Sequence, residues 1–105
     1  SEGCEIEGNV TNSVLFPNVT VDTDATIEYS ILMPGAVVDK GAVVQYAIVA
    51  EGAHIRAGAK IGNTPDEAGD NWGVAVVGPD VTIGKNAIVA AKEMPENTTA
   101  FRATY

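Results

Sequence analysis

The feature that most constrains the fold is a repeat of 17 residues that runs through residues 21–60. Each round consists of two six-residue units and one five-residue unit, and an apolar residue normally begins each unit. The units are too short for a helix plus a turn, and the 3.6-residue period of a helix is absent. Six-residue units led by an aliphatic residue predict an all-β solenoid, in which each short strand turns a corner into the next. The same spacing extends backwards to Cys4, the first predicted leading residue.

Strand geometry predicts which side chains line the inside of this coil. Side chains alternate along a strand, so an inward leading residue implies that the residue two positions earlier also faces inward. The five-residue unit is predicted to be third in each round, led by Phe16, Met33 and Ala50. Besides the leading residues, the predicted inner positions are Ala25, Ala42, Ala59, Val14, Ile31, Ile48, Val19, Ala36 and Ala53.

Corners of the coil need residues that tolerate a positive φ, and Gly, Asn and Asp adopt that geometry most readily. Such residues recur every 17 positions in two columns, which predicts a triangular coil with stacked corners. The two corner columns are Asn18, Gly35 and Gly52, and Asp24, Gly41 and Gly58.

One face of the coil is predicted to be an interface. The predicted outward positions of the second unit are Leu15, Leu32 and Val49, with Tyr29 and Tyr46 at the adjoining corner. A stack of exposed aliphatic side chains usually marks a protein contact. The alternative is an ordinary strand surface, because β-branched and aromatic residues suit strands in any case.

The register is interrupted once, after residue 61. Residues 62–73 are rich in turn formers and acidic residues, which predicts a loop that leaves the coil. The predicted layout of a single domain spanning residues 1–105 is therefore coils at 4–61, a loop at 62–73, final coils at 74–100 and a tail at 101–105.

Charge and composition exclude several partners. Six basic and fourteen acidic residues give a net charge of −8, which opposes binding to nucleic acid. No apolar run reaches membrane-spanning length and the start does not resemble a signal peptide, so we predict no membrane partner and a cytoplasmic location. A single cysteine excludes an internal disulfide. Arg56 and Lys60 are candidates for contact with an anion, for example an anionic metabolite effector.

The chain carries no phosphate-binding glycine loop, no metal-ligand spacing and no Ser/His/Asp arrangement, so no catalytic, cofactor or metal site is predicted. The alternative is His54, because many hexapeptide-repeat proteins are acyltransferases with a histidine base near a coil corner. Strand alternation places His54 in an outward column with Thr20 and Val37, and no orienting carboxylate lies near it in the sequence. We therefore predict a surface histidine.

Four segments resemble the C-terminal region of bacterial glucose-1-phosphate adenylyltransferase, also called ADP-glucose pyrophosphorylase. They are residues 7–17, 29–38, 47–50 and 73–78, and the resemblance covers roughly residues 3–95. The most specific parts read Asn-Ser-Val-Leu and Met-Pro-Gly-Ala. The resemblance implies a left-handed parallel β-helix, which is an exception to the right-handed crossover rule.

The resemblance also implies a parent reaction. Family members make ADP-glucose and pyrophosphate from ATP and glucose 1-phosphate with Mg²⁺, for glycogen or starch synthesis. Their catalytic residues lie in an N-terminal α/β domain that is missing from this chain, so the fragment alone is expected to be inactive and without a cofactor. The β-helix is expected to pack on that domain, to help assemble a tetramer, and to contribute to allosteric sites for anionic activators. A plant-type activator lysine has no counterpart near Val77, Gly78 and Pro79.

Overall fold

The computed structural model describes residues 3–64 and 74–89. The predicted final units after Val89 and the predicted tail at 101–105 lie outside the described residues, as do residues 65–73 of the predicted loop. Within the described ranges the chain forms short β-strands of two or three residues and no helix, so none that could cross a membrane. The strands are β1 (Glu5–Ile6), β2 (Asn9–Thr11), β3 (Val14–Leu15), β4 (Thr20–Val21), β5 (Thr26–Glu28), β6 (Ile31–Leu32), β7 (Val37–Val38), β8 (Val43–Gln45), β9 (Ala47–Val49), β10 (His54–Ile55), β11 (Lys60–Ile61), β12 (Ala75–Val77), β13 (Thr82–Ile83) and β14 (Ile88–Val89).

Consecutive strands belong to different sheets, and every strand pairs in parallel with its equivalent one coil away. Sheet A has the order β1-β4-β7-β10-β13, sheet B the order β2-β5-β8-β11-β14, and sheet C the order β3-β6-β9-β12. Three strands and three corners therefore make one turn of a three-sided prism. This arrangement confirms the predicted all-β, left-handed parallel β-helix of hexapeptide repeats.

The core is a set of stacked aliphatic columns along the axis of the prism. In most strands a large side chain alternates with alanine, because the leading residue of a unit and the residue two positions before it both point inward. Full burial of a valine, leucine or isoleucine side chain contributes roughly 1.5–3 kcal/mol. The core residues are Val19, Val21, Ala36, Val38, Ala53, Ile55, Val81 and Ile83 on the side of sheet A, Ala25, Ile27, Ala42, Val44, Ala59, Ile61, Ala87 and Val89 on the side of sheet B, and Leu32, Ala47, Val49, Ala75 and Val77 on the side of sheet C.

The five-residue unit is second in each round, and the prediction that it is third is wrong. The leading residue of sheet C is Leu32, which follows Ile27 by five residues and precedes Val38 by six. The predicted leading residue, Met33, is half-buried. The predicted inner columns of the other two sides remain correct, because the place of the five-residue unit changes only which residues lead the strands of sheet C.

This shift of one residue reverses every side chain of sheet C, because the side-chain period of a strand is two. Leu32 and Val49 are fully buried, so the prediction that they face outward is wrong. The predicted inner residues of this sheet face outward instead: Val14 is 53% exposed, Ile31 is 38% exposed, and Ile48 is half-buried.

A buried serine explains why the pattern is misleading on this side. Ser30 occupies the inner position two residues before Leu32 and is only 3% exposed. Its hydroxyl donates a hydrogen bond to the carbonyl of Glu28 at 2.8 Å and lies 3.3 Å from the amide of Ala47, which donates to it. Because these bonds satisfy the hydroxyl, a small polar residue can stand where an apolar one is expected.

The first coil is shorter than the others. Ile6 pairs with Val21 across 15 residues, so Ile6 takes the leading position that is predicted for Cys4. Cys4 is half-buried, and its thiol lies 3.2 Å from the carbonyl oxygen of Phe16. The spacing of 17 residues between paired positions therefore starts on the next side of the prism, in sheet B, where Val10 pairs with Ile27.

Gly8 makes this shortened corner possible. Val10 follows Ile6 by only four positions, so the backbone passes close to the corner of the next coil. A Cβ atom at Gly8 would lie 2.5 Å from the carbonyl oxygen of Ala25 and 2.7 Å from that of Asp22. A residue with a side chain does not fit at this close approach.

The two predicted corner columns are confirmed. Their residues have φ values of 57–77°, and Asp80 and Asn86 continue the columns in the last described coil. The third corner has positive φ as well, which the sequence pattern did not predict. The interruption of the repeat lies at this third corner, between β11 of sheet B and β12 of sheet C. After it, β12 pairs with β9. The third corner consists of Asn12 (φ 47°), Tyr29 (φ 49°) and Tyr46 (φ 48°), and in the next coil the positive φ falls one residue earlier, at Gly62 (φ 81°), opposite Gln45.

Candidate functional site

His54 lies on the outer face of sheet A, as strand alternation predicts. Its register partners are Val37 in the preceding coil and Thr82 in the following one. Its main-chain amide donates to the carbonyl of Val81, so the strand is fixed on both sides. The imidazole projects from a rigid sheet and not from a loop.

A carboxylate orients this imidazole, and the prediction that His54 has none nearby is incomplete. The Oδ2 atom of Asp39 lies 2.7 Å from Nε2 of His54, although the two residues are 15 positions apart. The side chains are 31% and 40% exposed, respectively. The parallel register brings them together, because Asp39 stands two residues after Val37, the partner of His54.

This contact determines what the imidazole can do. When a carboxylate accepts a hydrogen bond from one ring nitrogen, it fixes the tautomer and leaves the second nitrogen as a proton acceptor. With Nε2 bound to Asp39, the acceptor is Nδ1. A histidine held in this way has the chemistry of a general base, and a surface ion pair has the same geometry when the ring is protonated.

The two predicted anion-contacting residues lie on different sides of the prism. Arg56 follows strand β10 of sheet A and is exposed, whereas Lys60 lies on strand β11 of sheet B. The corner at Gly58 separates them. Their joint contact with an anion stays a prediction.

In residues 3–64 and 74–89, no group of three or more His, Cys, Asp or Glu side chains could hold a metal ion.

Sheet C carries an apolar outer face. Its four strands present one aliphatic residue each, and the register stacks these residues directly above one another. None of the four is charged or polar. We call this surface the sheet C face; it consists of Val14, Ile31, Ile48 and Val76.

The two tyrosines that we predicted to border an interface stand at the edge of the sheet C face. The rings of Tyr29 and Tyr46 stack with centroids 5.0 Å apart and an interplanar angle of 14°. Tyr29 is 52% exposed. Both have positive φ, which costs a bulky residue on the order of 1 kcal/mol.

The other three predicted interface residues lie on the inner side of the sheet. Leu32 and Val49 are fully buried, and Leu15 is half-buried and packs against the core. An apolar outer stripe does exist, but it is formed by the residues next to them in the chain. Val77 is the signal that would have identified this stripe. It pairs with Val49 in sheet C, and the unit that it leads has the inward and outward positions that the structure shows.

The chain matches one protein family over residues 1–78, the family described as "GlmU-like, C-terminal hexapeptide". No curated protein matches it.

Two solved structures are similar to the chain. One is the acetyltransferase domain of PglB from Neisseria gonorrhoeae FA1090, with 19% identity, a TM-score of 0.38, and coverage of 91% of this chain and 52% of that chain. The other is the same domain in complex with acetyl coenzyme A, with 16% identity, a TM-score of 0.36, and coverage of 95% and 56%. The chain therefore spans about half the length of the structures it matches.

Proposed function

Because the chain belongs to the GlmU-like C-terminal hexapeptide family, we propose that it is the β-helix domain of a larger transferase and that it docks the N-terminal part of that protein. The observation that carries this proposal is the sheet C face, an uncharged aliphatic surface on a rigid prism. Exposed apolar surfaces of this kind mark protein contacts.

The size of the face favours a partner on the same polypeptide. Four strands about 4.8 Å apart, each contributing about 10 Å of length, cover roughly 200 Å² in outline. Stable complexes between separate chains bury about 800 Å² per partner. A covalent link raises the effective concentration of the partner to the order of millimolar, so a small face is sufficient. A close-packed core then moves as one body, which suits the transfer of a conformational signal.

For the parent reaction we propose adenylyl transfer from ATP to glucose 1-phosphate, on the resemblance of four segments to glucose-1-phosphate adenylyltransferase. ATP and Mg²⁺ would be held by the N-terminal domain, and no residue of this chain is assigned to them. Assembly into a tetramer, control by anionic metabolites and a cytoplasmic location are part of the same proposal.

A matched pair of substitutions in the full-length protein tests the docking role. Ile48→Asp puts a charge on the sheet C face, whereas Val43→Asp puts the same charge on the outer face of sheet B, at a position that is also half-buried. We expect Ile48→Asp to lower ADP-glucose formation by about tenfold or more, because an unpaired carboxylate would be buried at the contact. The Val43→Asp variant should stay close to wild type. Equal effects of the two variants, at equal thermal stability, would refute docking by this face.

The second candidate function is acyl transfer with His54 as the base, and the observation that supports it is the contact of His54 with Asp39. Nδ1 of His54 would take the proton from an acceptor hydroxyl or amine as that group attacks the carbonyl carbon of an acyl thioester. The C–S bond breaks, and coenzyme A leaves as a thiolate that is then protonated. Asp39 would be a positioning residue that stabilises the imidazolium.

Titration of this chain with acetyl coenzyme A distinguishes the two candidates. Binding at about micromolar concentration and, with a primary amine added as acceptor, thiol release that His54→Ala abolishes and Asp39→Asn reduces would establish acyl transfer. Absence of binding would exclude it. If binding survives but neither substitution changes thiol release, His54 is not the base.

A further inference from the structure

We infer that the corner formed by Tyr29 and Tyr46 is a stacking site for the guanidinium group of an arginine on the docked partner. The inference rests on the docking role proposed above and adds the chemistry of the partner. It concerns the edge of the sheet C face and not the aliphatic stripe itself.

The choice of residues at this corner is the first argument. Three successive rungs of the corner have positive φ, and the first carries Asn12, a residue type that adopts this conformation readily. The next two rungs carry Tyr29 and Tyr46, for which it is strained. Strained residues that persist where an unstrained choice exists indicate a function for the side chain.

The stack also has an open end. Tyr46 covers one face of the Tyr29 ring at 5.0 Å, and the rung on the other side of Tyr29 carries Asn12, whose short side chain cannot continue the stack. Tyr29 is 52% exposed. A planar group of a partner can therefore stack on the free face of Tyr29 and add a third layer to the two tyrosine rings.

The charge of the chain around Tyr29 determines which type of planar group can bind there. Glu28 precedes Tyr29, and among residues 3–64 and 74–89 no cation lies within ion-pair distance of its carboxylate. The chain has a net charge of −8, so a phosphate-bearing base is repelled. An arginine fits both features, because its flat guanidinium stacks on an aromatic face while its N–H groups bind a carboxylate. Tyrosine and arginine are also the residue types that most often dominate protein contacts.

The test uses this chain with N-acetylarginine amide, N-acetyllysine amide and adenosine as probes. The ring-proton resonances of Tyr29 are followed by NMR while each probe is raised to roughly tens of millimolar, where weak single contacts become visible. We expect the arginine probe to shift these resonances with at least about threefold higher affinity than the lysine probe, because only guanidinium is planar. Stronger binding of adenosine, equal binding of lysine, or no shift with arginine would each overturn the inference.

Three substitutions separate this site from the docking face. Tyr29→Asn leaves only the ring of Tyr46, which follows Gln45 and not a carboxylate, so the arginine shift on Tyr46 should be severalfold weaker in affinity than that on Tyr29 in the unsubstituted chain. The melting temperature should be unchanged or higher, because asparagine relieves the strained φ. Glu28→Gln should weaken arginine binding severalfold. Ile31→Asp, on the sheet C face, should leave arginine binding unchanged even where it prevents docking in the full-length protein. A docking defect with Ile31→Asp but none with Tyr29→Asn would refute the arginine site and leave the docking role intact.

Discussion

Nε2 of His54 lies 2.7 Å from Oδ2 of Asp39, and this contact joins two successive coils on the outer face of sheet A. Both side chains remain partly exposed, so water screens their interaction. The pair is therefore better placed to orient an imidazole than to stabilise the prism.

The first prediction concerns the stability of this pair. Asp39→Asn should change the free energy of unfolding by less than about 1 kcal/mol, because exposed ion pairs contribute little. Urea denaturation measures the change. The control is Asp22→Asn, which removes the same charge one coil earlier at the equivalent position. A loss well above that of the control would show that the pair has a structural role.

The second prediction tests which side of sheet C faces inward. Leu32→Ala should destabilise the chain by about 2–5 kcal/mol, because it empties a fully buried position. Ile31→Ala, one residue earlier, should cost much less because Ile31 is 38% exposed. Paired urea denaturation curves measure both. The opposite order would mean that the five-residue unit is third in each round after all.

Much of the fold follows from the sequence because two sides of the prism carry an unbroken apolar pattern. The columns of Val21 and Ile27 and the corners at Gly41 and Gly58 are located correctly by period alone. On the third side the pattern is ambiguous: Ile31 and Leu32 are both aliphatic, and the inner position before them holds Ser30. Hydrophobicity cannot choose between the two phases, and the hydrogen bonds of the serine decide it.

The candidate site is harder to predict than the fold because it depends on register between coils. Asp39 and His54 are 15 residues apart, which is two fewer than the repeat, so a search within neighbouring positions does not find the pair. The strain of Tyr29 and Tyr46 is hidden for a different reason. Tyrosine does not indicate positive φ, and only their alignment with Asn12 reveals the corner.

The third prediction concerns the shortened first coil. Gly8→Ala should detach that coil locally, because its methyl group would overlap the carbonyl oxygens of Ala25 and Asp22. Amide hydrogen exchange at Asn9, whose N–H donates to Ala25, should accelerate strongly. Exchange at Thr26, which bonds to the next coil, is the internal control and should change little. Unchanged protection at Asn9 would contradict the close approach.

The fourth prediction compares two glycines of one corner column. Gly41 and Gly58 have φ values of 71° and 73°, so alanine at either position should cost about 1–2 kcal/mol in backbone strain. A Cβ atom at Gly41 would meet nothing within 4 Å, whereas one at Gly58 would overlap the side-chain oxygen of Asn86. We therefore expect Gly58→Ala to lower the urea midpoint more than Gly41→Ala. The additional loss should disappear in the Gly58→Ala, Asn86→Gly double variant, because the neighbouring side chain is then gone. If it persists, contact with Asn86 is not its cause.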